Sequence, residues 1–132
     1  RAAWGPLARL ERVSVIGNGI DLHRFEAPTG SAPTRRTLGM HSRFTASKDH
    51  PTLIRAIAEL RAAGHDVRLR LAGDGETMPA LRRLVAALDL EDHVDFLGMI
   101  PDAEIPAFLA SLGIFVQATF GECMSTSLMQ AM

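Results

Sequence analysis

The sequence predicts an α/β protein with a parallel β-sheet that is covered by helices on both faces. Along the chain, segments with the apolar pattern of strands are followed by segments with the apolar spacing of helices. The connections between these segments are short, which is typical of parallel sheets whose strands are linked by helices. The run Ile114–Val116 is entirely apolar, as expected for a strand that is buried on both sides.

The size and composition fit one domain and exclude several classes of protein. The chain has 132 residues, of which 47% are hydrophobic, and a formal net charge of -1. A charge so close to zero provides no basic field to recruit nucleic acid, so no nucleic-acid partner is expected. No apolar run approaches the roughly 18 residues of a membrane-spanning helix. The single cysteine, Cys123, excludes an internal disulfide and predicts a reducing, cytoplasmic location.

The first half of the chain contains two predicted strands and one predicted helix. Val13–Ile16 is β-branched and ends at a glycine-rich turn over residues 17–19. A second strand, with a weaker pattern, is predicted over residues 38–42. Pro51 then opens a helix that Gly64 ends, and its apolar face consists of Leu53, Ile54, Ile57, Ala58 and Leu60.

The second half repeats the strand and helix patterns. Residues 67–71 alternate apolar and arginine side chains, which predicts a strand with one solvated face. Asp102 is expected to cap one later helix, and Ser125 a last helix that runs to Met132. Before Asp102, a helix and then a strand are predicted; the strand is Val94–Leu97, and the apolar face of the helix consists of Leu81, Leu84, Val85 and Leu88. The inward face of the helix after Asp102 consists of Ile105, Phe108, Leu109 and Leu112.

Ligands of parallel α/β sheets bind beyond the carboxyl ends of the strands, so the loops after the strands are candidate sites. The first candidate is the pair Arg43 and Lys48, which lies after one predicted strand and before a helix. Two cations beside a helix N-terminus, which carries about +0.5 charge, form a receptor for a diphosphate. The alternative is that both side chains are ordinary solvated surface charges.

Two further loops carry weaker patterns. Gly73-Asp74-Gly75 allows a backbone to approach a ligand closely, but Met78 stands where a dinucleotide-binding motif needs its third glycine. A tight turn explains this glycine pair equally well. In Phe120–Ser127, the turn and helix start offer backbone amides for phosphate, and Glu122 offers a carboxylate for sugar hydroxyls. The alternative is that Glu122 is a helix-capping or surface carboxylate.

No metal site is predicted. The only cysteine has no second sulfur ligand near it, and no paired ligand spacing exists among His23, His41, His50, His65 and His93. His41 remains of interest because it lies at the end of the strand that precedes Arg43. Cys123 is interpreted either as a reactive thiol at a helix N-terminus or as a small buried hydrophobe.

In register along the chain, these segments resemble the family-four-type (group 1) retaining glycosyltransferases of the two-domain GT-B fold. Val15–Phe25 resembles the family's V-I-P-N-G-I-D-x-x-x-F segment, with Gly17 in place of the proline. Arg43 with Lys48 resembles G-R-L-x-x-x-K-G, and Leu69–Gly75 resembles L-x-I-V-G-D-G.

Two more segments continue the match in the same order. Val94–Pro101 resembles V-x-F-L-G-x-V-P, and Gly121–Met132 resembles E-G-F-G-x-x-x-x-E-A-M. The resemblance therefore covers nearly everything from Val13 to the end of the chain. It implies a Rossmann-like domain that forms the nucleotide-sugar-binding, C-terminal half of a GT-B enzyme.

The resemblance also implies roles for individual residues. Arg43 and Lys48 would hold the donor's diphosphate and stabilise the leaving nucleotide in place of a metal ion, while Glu122 would bind the transferred sugar. Gln130 stands where the family has a second glutamate, so a charge-assisted bond to the ribose hydroxyls is lost. The full set of implied donor-binding residues is Gly73, Gly75, Gly98, Met99, Ile100, Gly121, Cys123, Met124, Ser125 and Gln130.

The implied activity is retaining transfer of a hexosyl unit from a nucleoside-diphosphate sugar to a glycan, lipid or small-molecule acceptor, without a cofactor. Residues 1–132 would form one partial domain, in which residues 1–25 lead in from an N-terminal domain that binds the acceptor and residues 26–37 form a loop. The alternatives are a non-catalytic nucleotide-sugar-binding module or another GT-B enzyme, such as a sugar-nucleotide epimerase or a phosphorylase. Association with a membrane surface is a further expectation for the full-length protein.

The chain does not begin with Met, and it stops about two turns after Ser125, which predicts that it is part of a longer protein. Isolated helices shorter than about 12 residues are marginal in water, and absent strands would leave an apolar face uncovered. The isolated chain is therefore expected either to self-associate or to fray over its last residues. It is also expected to be inactive, because without the N-terminal domain the acceptor is not positioned and water is not excluded.

Overall fold

A single parallel sheet forms the centre of the domain. The computed structural model describes residues 16–17, 19–25, 36–122 and 124–132. Its strands are β1 (Thr37–His41), β2 (Arg68–Ala72), β3 (Val94–Gly98) and β4 (Ile114–Phe115). They form one four-stranded sheet in the order β3-β2-β1-β4, and every neighbouring pair is parallel. The predicted α/β class and parallel sheet are therefore confirmed.

Helices cover both faces of this sheet, as predicted. The helices are α1 (His50–Ala62), α2 (Met78–Ala87), α3 (Ile105–Ala110) and α4 (Thr126–Ala131), with 3-10 turns at Leu22–Phe25 and Asp102–Glu104. On one face α1 and α2 bury their apolar sides against the strands, in a core of Met40, Phe44, Leu53, Ile54, Ile57, Leu69, Leu71, Leu81, Val85, Leu90 and Val94. On the other face, Phe108 of α3 and the following Leu112 pack on Ala72.

The ends of α1 follow from local residue chemistry. The Asp49 side chain accepts a hydrogen bond from the Thr52 amide at 3.3 Å, which caps the helix start, and Pro51 occupies the first turn. Gly64 has a φ of +85° just after the helix and donates its amide to the Arg61 carbonyl at 2.9 Å. Since this left-handed conformation favours glycine, the prediction that Gly64 ends the helix is confirmed. Ser125 likewise caps α4, because its hydroxyl accepts from the Leu128 amide at 3.2 Å.

The predicted cap of α3 is wrong. Residues Asp102–Glu104 form a 3-10 turn before α3, so Glu104 stands at the cap position and makes no side-chain capping bond. The Asp102 carboxylate instead accepts from the Arg24 guanidinium at 2.6 Å. The extra turn moves Asp102 too far from the first amides of α3 for it to cap them.

Two expectations about strand burial are also corrected. Ile114 is 43% exposed, so β4 is not buried on both sides; it pairs with β1 alone and forms an edge of the sheet within the described residues. On β2, the Arg70 guanidinium donates to the Ser111 hydroxyl at 2.5 Å and lies 5.7 Å from the Phe108 ring centre. The face expected to be solvated is therefore partly covered by α3. The predicted strand Val13–Ile16 lies outside the described residues, except for Ile16.

The strand order places a change of direction between β1 and β4. From β1 the chain winds outward through β2 to β3, and it then returns to add β4 on the other side of β1. The loops that follow β1 and β4 consequently begin at neighbouring carboxyl ends of the sheet. In open α/β sheets this point is where a ligand crevice forms.

Candidate functional site

A pocket of about 190 Å³ lies where the loops after β1 and β4 meet. Arg43 and Lys48 line it from the first loop, and Glu122 lines it from the second. These three candidate residues, which come from two of the predicted loop sites, therefore lie at the same end of the sheet. Besides these three, the lining residues are Ser42, Gln117, Met124, Ser125, Thr126 and Ser127.

Lys48 and Glu122 form an ion pair across this pocket. The Lys48 ammonium contacts the Glu122 carboxylate, and the two side chains are 20% and 29% exposed. This pair joins the loop after β1 to the loop after β4. A ligand that brings negative charge would therefore meet a lysine whose charge is already partly balanced by a carboxylate.

Arg43 is held at the rim of the pocket by its two neighbours in the chain. The Ser42 amide donates to the Ala72 carbonyl at 3.0 Å, and the Phe44 amide donates to the Asp74 carbonyl at 2.8 Å. The Phe44 side chain is fully buried in the core. Arg43 is exposed between these anchors, and among the described residues no acidic side chain pairs with it. Its guanidinium is therefore available to an anion.

The first backbone amides of α1, beside the predicted cation pair, are already used within the chain. The Asp49 amide donates to the Ala118 carbonyl at 3.1 Å, and the His50 amide donates to the Lys48 carbonyl at 2.8 Å. Pro51 has no amide proton, and the Thr52 amide is taken by the Asp49 side chain. Binding of an anion beside α1 would therefore depend on the cationic side chains.

Gly73 and Gly75 are explained by contacts within the chain. A Cβ added at Gly73 would overlap the Ser42 carbonyl oxygen, and one added at Gly75 would overlap the Phe44 carbonyl oxygen. Neither glycine lines the pocket around Arg43. Their lack of a side chain lets the loop after β2 pack directly on the loop that carries Arg43, so their effect on the pocket is indirect.

The other predicted donor-binding residues are spread over a wider area. Met124 and Ser125 line the pocket, whereas Gly121 and Gln130 are near it in the chain but do not line it. The Gly98 carbonyl accepts from the Gly73 amide at 2.7 Å. Met99 is 74% exposed, and Ile100 faces a separate hollow of about 420 Å³ beside α3. Cys123 lies outside the described residues.

Gln117 is a lining residue that the sequence reasoning missed. It follows the apolar run that ends at Val116, and its side-chain oxygen is buried without a hydrogen-bond partner among the described residues. The sequence did contain a signal for Gln117: a polar residue that directly follows an apolar strand lies at the edge of the sheet where ligands bind. Ser42 was missed as well, although it directly precedes Arg43.

Two histidines lie close to this region, in different environments. His41 ends β1 with its ring 6.5 Å from the Phe108 ring, and it does not line the pocket. His50 is fully buried beneath the loop that carries Arg43 and Lys48. Burial lowers the pKa of both rings from the ordinary value of 6.5; the Asp102 carboxylate opposes this effect at His41, and the Lys48 carbonyl and Asp49 oppose it at His50.

The stability of the domain is expected to fall as the pH drops below about 6.5. Because both histidines have a lowered pKa in the folded state, the unfolded chain binds protons first, and protonation favours unfolding. Their contribution is complete above pH 6.5, where both states are neutral, and is lost as the pH falls through the folded pKa values. Urea unfolding at about pH 7.5 and about pH 5.5 measures the change. His50→Leu should reduce it; an unchanged pH dependence in that variant would contradict the assignment to His50.

The described residues contain neither a membrane-spanning helix nor a cluster of metal-binding side chains. No helix there is long and apolar enough to cross a membrane. In the same residues, no three side chains of histidine, cysteine, aspartate or glutamate are grouped so that they could hold a metal ion.

Comparison with known proteins identifies the family. The family model described as "Glycosyl transferases group 1" matches residues 35–132. The GDP-mannose-dependent alpha-(1-6)-phosphatidylinositol monomannoside mannosyltransferase of Mycolicibacterium smegmatis is 33% identical over 123 residues, which cover 86% of this chain and 31% of that protein. The 2-deoxystreptamine glucosyltransferase of Streptomyces kanamyceticus is 30% identical over 109 residues, covering 83% and 27%. The chain thus spans less than a third of the length of these relatives.

Solved structures share the fold. A mutant of S. aureus TarM, in complex with Fondaparinux, alpha-GlcNAc-glycerol and UDP, matches with a TM-score of 0.84 at 20% identity, over 99% of this chain and 26% of TarM. Anabaena HepE, in complex with UDP and glucose, matches with a TM-score of 0.77 at 23% identity, over 89% of this chain and 35% of HepE. At such identities the likeness concerns the fold, which is that of GT-B glycosyltransferases. Taken with the family match over most of its length, this fold shows that the chain belongs to the group 1 glycosyltransferases.

Proposed function

We propose that this chain is the donor-binding part of a retaining glycosyltransferase that moves a hexosyl unit from a nucleoside-diphosphate sugar to an acceptor. The observation that carries the proposal is the pocket between β1 and β4, where Arg43 and Lys48 face Glu122. Two cations suit a diphosphate, and a neighbouring carboxylate suits the hydroxyl groups of a sugar. The relatives support it, since one is named for GDP-mannose and two of the solved neighbours hold UDP.

The proposed roles follow from charge and position. Arg43 and Lys48 hold the diphosphate and stabilise the negative charge that grows on the leaving nucleotide. Because these side chains supply the positive charge, we propose that the reaction needs no metal ion. Glu122 accepts hydrogen bonds from the transferred sugar, with Met124 and Ser125 beside it.

Other parts of the proposal concern the base, the ribose, the acceptor and the location. The backbone over residues 98–100 contacts the base, and Gln130 contacts the ribose hydroxyls. Gly73 and Gly75 support the loop that carries Arg43 and Lys48. The acceptor is bound mainly by parts of the full-length protein that precede this chain. We place the reaction in the cytoplasm, which suits a chain with one cysteine among 132 residues.

Arg43→Ala is expected to weaken nucleoside-diphosphate binding about tenfold or more, because a charge-assisted phosphate contact contributes about 1.5–3 kcal/mol. The measurement is calorimetric titration of the full-length protein with GDP and UDP. Arg83→Ala is the matched control, since Arg83 is an exposed arginine of α2 that does not line the pocket. Equal affinities for the unsubstituted protein and Arg43→Ala would show that the diphosphate does not bind here.

A second candidate is a module that binds the nucleotide sugar without transferring the sugar. Gln130 favours it, because an amide there replaces a carboxylate and weakens a contact to the ribose. Incubation of the full-length protein with GDP- and UDP-hexoses distinguishes the two candidates. Transfer to an acceptor with the anomeric configuration kept supports the enzyme, whereas binding without any turnover supports the module.

A further inference from the structure

His50 is a buried imidazole that holds the loop carrying the two cations of the pocket. It is the one polar or charged residue of the described part of the chain that is buried, with 0% exposure. Its Nε2 lies 3.0 Å from the Ser42 hydroxyl, and its Nδ1 lies 3.0 Å from the Lys48 carbonyl oxygen. Its ring packs against Phe44, with the ring centres 4.5 Å apart.

The partners of the ring fix its tautomer. The Lys48 carbonyl can only accept, so Nδ1 carries the proton and donates it. In the neutral ring Nε2 must then accept, and the Ser42 hydroxyl donates to it. Burial lowers the pKa of His50 and keeps the ring in this neutral form.

These two bonds span the loop from one end to the other. Ser42 directly precedes Arg43, and the carbonyl that accepts from Nδ1 belongs to Lys48 itself. Between them, the Lys48 amide donates to the Thr45 carbonyl at 3.0 Å, and the Phe44 amide is held by the loop after β2. His50 is therefore the side chain that ties the Arg43 end of the loop to the Lys48 end.

We propose that His50 is a positioning residue that sets the spacing of Arg43 and Lys48 for a diphosphate. The inference rests on the proposed function, since it assigns a support to the same anion pocket. A loop already fixed in its binding geometry loses less conformational freedom when the ligand arrives. Without His50, the loop would keep its backbone bonds but would lose the link between its two ends.

Two substitutions separate positioning from simple packing. His50→Leu keeps an apolar side chain against Phe44 and removes both side-chain bonds, while the Lys48 carbonyl keeps the His50 backbone amide as a donor at 2.8 Å. His50→Asn leaves a gap in the core, but its amide nitrogen can replace Nδ1 and donate to the Lys48 carbonyl. We therefore expect His50→Leu to be the more stable variant and His50→Asn to be the better binder.

The test is calorimetry with GDP and UDP on the full-length protein, together with thermal unfolding of each variant. The expected result is that His50→Leu loses about tenfold in nucleoside-diphosphate affinity and His50→Asn about threefold or less, although His50→Asn unfolds at the lower temperature. Ile57→Ala, which empties another fully buried site of α1, should lower the unfolding temperature and leave the affinity unchanged.

Affinities that follow the order of stability, or His50→Leu binding as well as the unsubstituted protein, would overturn the inference. If His50→Leu does not fold, His50→Gln takes its place in the test. The longer glutamine side chain reaches towards Ser42 and not towards the Lys48 carbonyl. The affinity of His50→Gln for nucleoside diphosphates is then expected to fall below that of His50→Asn. Failure of the unsubstituted protein to bind any nucleoside diphosphate is a different outcome, which overturns the proposed function and this inference with it.

Discussion

Lys48→Ala is expected to lower kcat/KM for sugar transfer by about 10²–10³-fold, because Lys48 would stabilise the negative charge of the leaving diphosphate. The substitution also leaves the Glu122 carboxylate without its ion-pair partner beside the incoming phosphates. Like charges in a partly buried pocket repel each other, so ligand binding should suffer in addition. Steady-state transfer assays on the full-length protein, with the GDP- or UDP-hexose that calorimetry identifies, measure the effect.

A double substitution separates the two causes of this loss. Lys48→Ala combined with Glu122→Gln removes the unpaired carboxylate, so nucleotide affinity should recover in part while kcat stays low. Lys48→Arg keeps the charge with a different shape and is expected to lose less than Lys48→Ala. Arg83→Ala, at a residue that does not line the pocket, should leave both parameters unchanged. A Lys48→Ala variant with near-normal kcat/KM would remove Lys48 from the proposed mechanism.

The placement of Arg43, Lys48 and Glu122 at one end of the sheet could be predicted from the sequence. Alternating strand and helix patterns predict a parallel sheet, and a parallel sheet places the loops after its strands along one edge. The apolar spacing in residues 50–62 and 78–87 is regular enough to define α1 and α2 and the faces they bury. Which of these loops would be neighbours depends on the strand order, and short parallel strands carry little local signal for that order.

What the sequence could not predict depends on contacts between distant segments. The N-terminus of α1 was predicted to lie beside the two cations as part of an anion receptor, but the carbonyl of Ala118, far along the sequence, takes the Asp49 amide. The Gly73 and Gly75 pair resembled a ligand contact, and its actual neighbours are the carbonyls of Ser42 and Phe44. Capping by Asp102 failed because residues 102–104 form a 3-10 turn before α3, and the Asp102 carboxylate binds the distant Arg24 instead.

These contacts show how the pocket is built in layers. The cations that face the ligand are on an exposed loop, but the loop rests on three supports: the buried Phe44 ring, the His50 imidazole and the glycine loop after β2. Each support lies on a different element of the fold. A substitution in any of them is therefore expected to change the geometry of Arg43 and Lys48 without touching a ligand.

The largest effect on stability is expected from Gly73→Ala. Gly73 has a φ of +131°, where a side chain is strained, and an added Cβ would overlap the Ser42 carbonyl oxygen. Because that oxygen belongs to the backbone, the overlap can be relieved only if the two loops separate. Their separation would break the bond from the Gly73 amide to the Gly98 carbonyl or the bond from the Ser42 amide to the Ala72 carbonyl. We expect the free energy of unfolding to fall by on the order of 3–5 kcal/mol.

Two other glycines provide graded controls for this prediction. Gly64 shares a left-handed φ of +85° but has open space around an added Cβ, so Gly64→Ala should cost about 1 kcal/mol. Gly121 has neither a positive φ nor a neighbour within 4 Å of an added Cβ, so Gly121→Ala should stay within about 0.5 kcal/mol of the unsubstituted protein. Urea unfolding of the three variants gives the order. If Gly73→Ala lowers the free energy of unfolding by no more than Gly64→Ala does, backbone strain alone accounts for the loss. The close packing of the two loops would then not stabilise the site.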